Sequence, residues 1–206
     1  LTLSSATGAS TPQFTGLALQ ASSTNFTTGN LIVSNSSLSA TSGITISTAT
    51  NIDLDLVNIN GTGATLTLNG ELDFTDRNST LTFANITAGS SSIIDLDRGT
   101  GSSLEVLFNV AGAFNGPGIL NIGDAAQLTV DGLTSGSSTL SVTSFNGNGS
   151  LAFQNGSLTL SNAFEVKANQ NLTLTNNNAS AVGLFTLNGS LINTASDFNL
   201  DGGSVL

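Results

Sequence analysis

The pattern that most restricts this chain is an apolar–polar–apolar triplet, written again and again. Leu1-Thr2-Leu3, Leu17-Ala18-Leu19, Leu31-Ile32-Val33, Ile44-Thr45-Ile46, Leu66-Thr67-Leu68, Leu81-Thr82-Phe83, Leu128-Thr129-Val130, Leu140-Ser141-Val142, Leu151-Ala152-Phe153, Leu158-Thr159-Leu160 and Leu172-Thr173-Leu174 follow one another with starts mostly eleven to sixteen residues apart. Alternation with period two places the apolar side chains on one face of an extended segment, which is the mark of a half-buried strand. No window carries a helical period. The longest apolar-rich stretch, Leu104 to Val110, is well short of a membrane span.

Turn residues stand between the triplets. Asn69-Gly70, Asp131-Gly132, Asn155-Gly156, Asn188-Gly189 and Asp201-Gly202 each follow an apolar triplet, and these residue types tolerate positive φ. A hairpin would suit such dipeptides, but after Gly70 and Gly189 the alternation simply resumes, giving strings such as Leu66, Leu68, Leu72, Phe74. The chain reads as a strand that passes a corner and continues along the same apolar wall. Two such units make roughly 22 to 28 residues, the length of one solenoid coil that lays its strands on those of the coil before. The expectation is an all-β parallel β-helix (β-solenoid), right-handed, of about eight to ten coils. At about 4.8 Å per coil it would be a rod of roughly 40 to 50 Å, and the phrase broken off at Leu206 predicts a slice of a longer solenoid. A β-sandwich is the competing architecture, and nothing like a core Trp or a disulfide supports its immunoglobulin version.

Composition agrees. Ser, Thr, Asn and Gly make up about half of the chain, and charged residues only 8%. Disorder would pair such polarity with few apolar residues, whereas 38% are apolar here and they are spaced. In stacked coils Leu, Ile, Val and Phe would lie inside while Thr, Ser and Asn form outward ladders, where charges aligned at strand spacing would repel.

The L-T-L, L-T-F, L-A-F and F-T-L strands, the Asn/Asp-Gly corners, the wealth of Asn, Ser and Thr and the lack of Cys together resemble the β-helical passenger domains of bacterial autotransporters. They equally resemble the related filamentous-haemagglutinin-type exoproteins, and Leu172-Thr173-Leu174-Thr175-Asn176-Asn177-Asn178 is similar in wording to the vacuolating-cytotoxin-like autotransporters. The resemblance covers nearly the whole chain and marks a mode of building. It implies secretion across an outer membrane, a place at the bacterial cell surface or outside it, and a role as an adhesin or display stalk. The partners it implies are host or neighbouring-cell surface molecules, or copies of the chain itself. An extracellular filament or sheath component is the alternative, and a toxin passenger a weaker one.

The residue types exclude much chemistry. There is no His, Cys, Tyr, Trp or Met, which removes the usual general base, the thiolate and the soft metal ligands. With Arg77, Arg98 and Lys167 the only bases and a net charge of −10, neither nucleic acid nor an anionic membrane surface is a fitting partner. No cofactor is implied, and no membrane insertion by this segment. Carboxylates remain: Asp53 and Asp55, Asp73 and Asp76, Asp95 and Asp97. In the first and third pairs Ile52, Leu54 and Leu56, or Ile94 and Leu96, take the inward positions, so each Asp pair points out of the wall. Such residues serve most simply as solvated gatekeepers. Asp53, Asp55, Asp95 and Asp97 are also calcium candidates, and a carboxylate couple could hydrolyse a polysaccharide. Catalytic residues are not assigned, and a non-enzymatic protein is expected.

Two stretches break the rhythm. In LEVLFNV, Leu104, Val106, Phe108 and Val110 share one face and Leu107 falls on the other, which reads as an irregular coil or bulge, or else as a second apolar contact. AGAFNGPGIL, with Gly116, Pro117 and Gly118, reads as a loop between coils. It is also the best place for a joint, near 111–118, within an otherwise single solenoid segment 1–206.

Overall fold

A computed structural model describes residues 2–3, 13–16, 18–27, 29–48, 50–97, 103–116, 118–132, 139–142, 144–147, 149–154, 157–160, 164–166, 171–175, 185–187, 191–193 and 197–201. Side chains are described for most of these up to Gln154, and for Thr173 beyond it. The corners Asn155-Gly156 and Asn188-Gly189, the Asn176–Asn178 run, Pro117, Arg98, Lys167 and Gly202 lie outside the described residues.

Every pairing among the described strands is parallel, and nearly all of them join one continuous sheet. Following one outward position shows the winding. Ser37 lies over Ala18, Asn58 over Ser37, Thr80 over Asn58 and Leu107 over Thr80, each one coil further along the chain. Parallel neighbours one coil apart in sequence are what a β-solenoid produces, and a sandwich built of hairpins would give antiparallel ones. The stretch from Gln13 to Asp131 winds through about five turns, and register partners beyond it carry the ladder on to Asp201. The first coils, Ala18 to Ser37 and Ser37 to Asn58, are shorter than expected, because the faces can be joined by corners of very few residues.

Three faces form each coil. The first passes through Gln13–Thr15, residues 29–34 and 50–55, Glu71–Thr75, Ile93–Asp97 and Ile119–Ile122. The second runs through residues 18–21, 36–39, 57–60, Ser79–Phe83, Leu104–Val110 and Ala126–Asp131. The third is made by residues 23–26, 43–46, 65–68, 85–88 and Ala113–Asn115. The strands Gly29–Ile46 and Thr50–Leu68 are so long because each contributes to all three faces.

The alternation sorts residues as the triplets demand. Val33, Leu54, Phe74, Leu96 and Ile122 pile up inside the first face, and Leu38, Ile59, Leu81, Phe108 and Val130 inside the second. Phe74, Phe108 and Phe114, one from each face, meet on the axis with ring centroids 5.8 Å apart in both contacts. Leu66, Leu68, Leu72 and Phe74 are all buried across the Asn69-Gly70 corner, so the strand does turn there and carry on. Outside, like polar residues bond between coils: Thr15 with Ser34, Asn109 Nδ2 to Thr82 Oγ1, and Asn146 Nδ2 to Asn121 Oδ1. Buried hydroxyls sit at corners and are used there; Ser79 Oγ accepts the Val57 N–H, and Ser92 donates to the Gly89 carbonyl.

The corner between the first and second faces carries one residue in left-handed conformation in each of four successive coils. Gly16, Asn35, Leu56 and Asp76 have φ of 69°, 47°, 53° and 59°. Here the structure corrects the inward placement of Leu56. A left-handed residue interrupts the alternation, so Asp55 and Leu56 both face outward, and the buried position passes to Val57. Leu56 is the exposed large hydrophobic among the described residues, at 41%.

LEVLFNV is not bulged. Leu104–Val110 pairs on both sides without a register shift, its four even-numbered apolar residues buried and Leu107 half-buried in an outward file between Thr80 and Thr129. The register shifts fall elsewhere, at Ala21/Ser23, Ser39/Gly43 and Gly61/Thr65, where the second face turns into the third. Nor is AGAFNGPGIL a loop. Ala113–Asn115 is a strand paired to both neighbouring coils with Phe114 buried, and Gly116, at φ 97°, turns the chain toward Ile119–Ile122.

Two substitutions test this geometry. A Cβ on Gly61 would lie 2.5 Å from Cε1 of the buried Phe83 in the next coil, so Gly61→Ala should cost about 1–3 kcal/mol in a denaturant melt. Leucine pays about 1–2 kcal/mol for a left-handed backbone that asparagine tolerates, so Leu56→Asn should stabilise by about 0.5–1 kcal/mol in the same assay. Unchanged midpoints in both variants would be incompatible with this register.

Candidate functional site

The winding brings carboxylates together that are far apart in sequence. Asp53, Asp73 and Asp95 are register partners in three successive coils, all outward on the first face, and Asn121 and Asn146 continue the file. Two positions before Asp73, Glu71 is outward as well. Carboxylate oxygens of Glu71, Asp73 and Asp95 lie within 4.8 Å of one another, all three residues half-buried.

Neighbours hold the ends of this file. Thr75 Oγ1 donates to Asp53 Oδ1 at 2.7 Å, and Asn121 Nδ2 donates to Asp95 Oδ2 at 3.1 Å. Asp55 is engaged differently: Arg77 grips it with Nε at 2.9 Å and Nη2 at 2.6 Å, a bidentate clamp between coils. That clamp holds the exposed Arg77 guanidinium above its ordinary pKa.

Asp73 sits in the middle with the least help. Partial burial, then the charges of Asp95 and Glu71, push its carboxyl up to about 6, against a hydrogen bond from Asn51 and with a smaller push from Asp53. Three carboxylates this close can share a proton or coordinate a cation, and either relieves the same repulsion.

The sequence pairs carboxylates along a strand, Asp53 with Asp55 and Asp95 with Asp97. The structure puts each of these pairs on the outward side of its strand. The groups it clusters, however, run across the strands: Asp95 with Glu71 and Asp73, and Asp53 in line with them. Asp55 belongs to Arg77, Asp97 is exposed at the end of its strand, and Asp76 stands at the left-handed corner. Glu71 is the member that sequence reading missed. A signal was present in the spacing, since Asp53, Asp73 and Asp95 recur at intervals of one coil and Glu71 shares the strand of the middle one.

Beside this file, the first-to-second-face corner forms a groove of about 430 Å³ lined by Gly16, Ala18, Asn35, Ser37, Leu56, Asn58, Asn78 and Thr80, with Ser36 and Val57. Its lining has amides, hydroxyls and an apolar patch and no charged group.

The raised Asp73 pKa has a stability consequence. The folded state holds a proton at Asp73 that the unfolded chain, with an ordinary value of 3.8, has already lost. Its contribution is therefore full below about pH 4 and is lost as pH rises through about 6. Screening at this half-exposed position reduces the effect to about 1 kcal/mol, some 2–4 °C in melting temperature. Asp73→Asn should melt higher than the parent at pH 7.5 and equally at pH 4. A variant that melts lower at pH 7.5 would show that the charge at Asp73 stabilises the coil.

Comparison with protein-family models, with curated proteins and with solved structures found no match to this chain.

Proposed function

We propose that this chain is a non-enzymatic stalk, displayed at or released from a bacterial cell surface in the manner of an autotransporter passenger, with adhesion as its role. The observation that carries the reading is the exterior: coil after coil of outward Thr, Ser and Asn at strand spacing, built on a continuous apolar core. A rod of this kind gains reach with every coil and needs no change of design to do so. Its polar ladders satisfy one another and leave repeated hydroxyl and amide groups for weak, multivalent contacts with another surface. The sequence has no His, Cys, Tyr or Met, so it lacks the most usual general base, the thiolate and the soft metal ligands and leaves only carboxylates and Lys167 for acid–base work, and its net charge of −10 turns away anionic surfaces.

The test is direct. Beads coated with the purified chain should attach to cells or extracellular matrix above beads coated with an unrelated acidic protein. Attachment should survive Asp53→Asn and Asp95→Asn. If the chain hydrolyses members of a polysaccharide panel and those substitutions abolish turnover, the stalk reading gives way to a carboxylate enzyme.

A further inference from the structure

Charge is distributed unevenly around the coil. The first face carries Asp53, Asp55, Glu71, Asp73, Asp95 and Asp97, and the second carries Glu105, Asp131, Asp197 and Asp201. Among the described residues the third face carries no charged residue in any row. One file on it, outward where its side chains are described, runs by register through Thr2, Asn25, Thr45, Thr67, Thr87, Asn115, Ser141, Thr159 and Thr186, nine rows without a break. A parallel file two positions earlier holds Ser23, Gly43, Thr65, Asn85, Ala113, Thr139 and Ser157.

We propose that two copies of this chain pair laterally through this uncharged third face. Three observations select a second copy as the occupant. The first is charge. With a net charge of −10, two copies repel, and the third face is the one on which they can approach without setting carboxylate against carboxylate. The second is spacing. A face made of stacked strands has the same rise per row as its own copy, so knobs of one enter furrows of the other over the full length, as identical side chains do between paired sheets of low charge. The third is area. Nine rows at about 4.8 Å and strands of at most four residues, about 13 Å wide, give roughly 500 Å² on each partner. The total of about 1,000 Å² stands at the lower bound for a specific interface, the size of a weak, reversible pair. The isologous arrangement that results places like residues across a two-fold axis. Thr87, fifth of the nine rows, then meets or lies close to the Thr87 of the second copy in either a parallel or an antiparallel pair. Pairing does not depend on what the rod adheres to, so it stands or falls apart from the stalk reading.

The absence of cysteine makes a clean test possible. In sedimentation equilibrium the 206-residue chain should weigh twice its 20.6 kDa at tens of micromolar, more completely in 0.3 M NaCl than in 0.02 M because salt screens the acidic flanks. Thr87→Cys should form a disulfide-linked dimer on mild oxidation at least tenfold faster than Asn58→Cys, an exposed position on the second face. Thr67→Glu, outward and therefore tolerated by the core, should sediment as a monomer with its melting curve retained. A parent chain that stays monomeric to 0.5 mM at both salt concentrations overturns the proposal. So does equal cross-linking at positions 87 and 58, or a Thr67→Glu variant that remains folded and dimeric.

Discussion

The constraint on which this molecule rests is the in-register parallel ladder. Once each strand lies over the strand one coil earlier, every residue has its counterpart in the next coil as a permanent neighbour at about 4.8 Å. Side-chain parity is then inherited along the whole rod: a residue that is inward in one coil requires an inward residue at the same height of the next. The piles Val33–Leu54–Phe74–Leu96 and Leu38–Ile59–Leu81–Phe108 are the favourable consequence. Each buried side chain of this size contributes about 1.5–3 kcal/mol, and the ring contacts of Phe74, Phe108 and Phe114 add to it.

The same inheritance penalises charge. A carboxylate outside the wall has neighbours at strand spacing above and below, and a like charge in either place raises its cost. Asp53, Asp73 and Asp95 are the instance, and the repulsion is visible in Asp73, driven toward its protonated form by partial burial and by Asp95 and Glu71. Where the file ends, Asn121 takes the next row and donates to Asp95, and where an acid has an opposite charge in the following coil, as Asp55 has Arg77, the clash becomes a clamp. Thr, Ser and Asn escape the difficulty because each can donate to or accept from a copy of itself, which explains an exterior of such narrow composition.

Much of this was legible in the sequence. Period-two triplets fix which side chains go inside, and the resumption of the alternation beyond Asn69-Gly70 distinguishes a corner from a hairpin. Leu66, Leu68, Leu72 and Phe74 are buried as that pattern requires. What could not be read depends on distances between coils, not along the strand. Leu56 continues the alternation on paper, but a left-handed backbone at that position turns it outward, and leucine is a poor signal for such a conformation. The Ala113–Asn115 strand hides among glycines because its neighbours above and below, not its own propensity, hold it in the sheet. Glu71 and Asp73 join Asp95 through the coil length, and that length is not constant: it is short between Thr139 and Ser157 and long between Ile86 and Phe114.

That variation in coil length bears on how such a chain keeps one structure. In a flat repeat of identical coils, a strand could slip by a whole coil and find equivalent partners. Here the coils differ in length, and single rows carry features of their own: a Gly61 whose missing side chain makes room for Phe83, a Gly116 turned to φ 97°. Each fits one row and would collide or leave a gap in the next. The aromatic contacts work in the same sense, since Phe74, Phe108 and Phe114 meet only when three faces arrive at the correct height. Register is thus specified at the corners and on the axis. The faces between them are left free to carry nearly uniform files of Thr, Ser and Asn, and a surface that is monotonous outside can be unambiguous within.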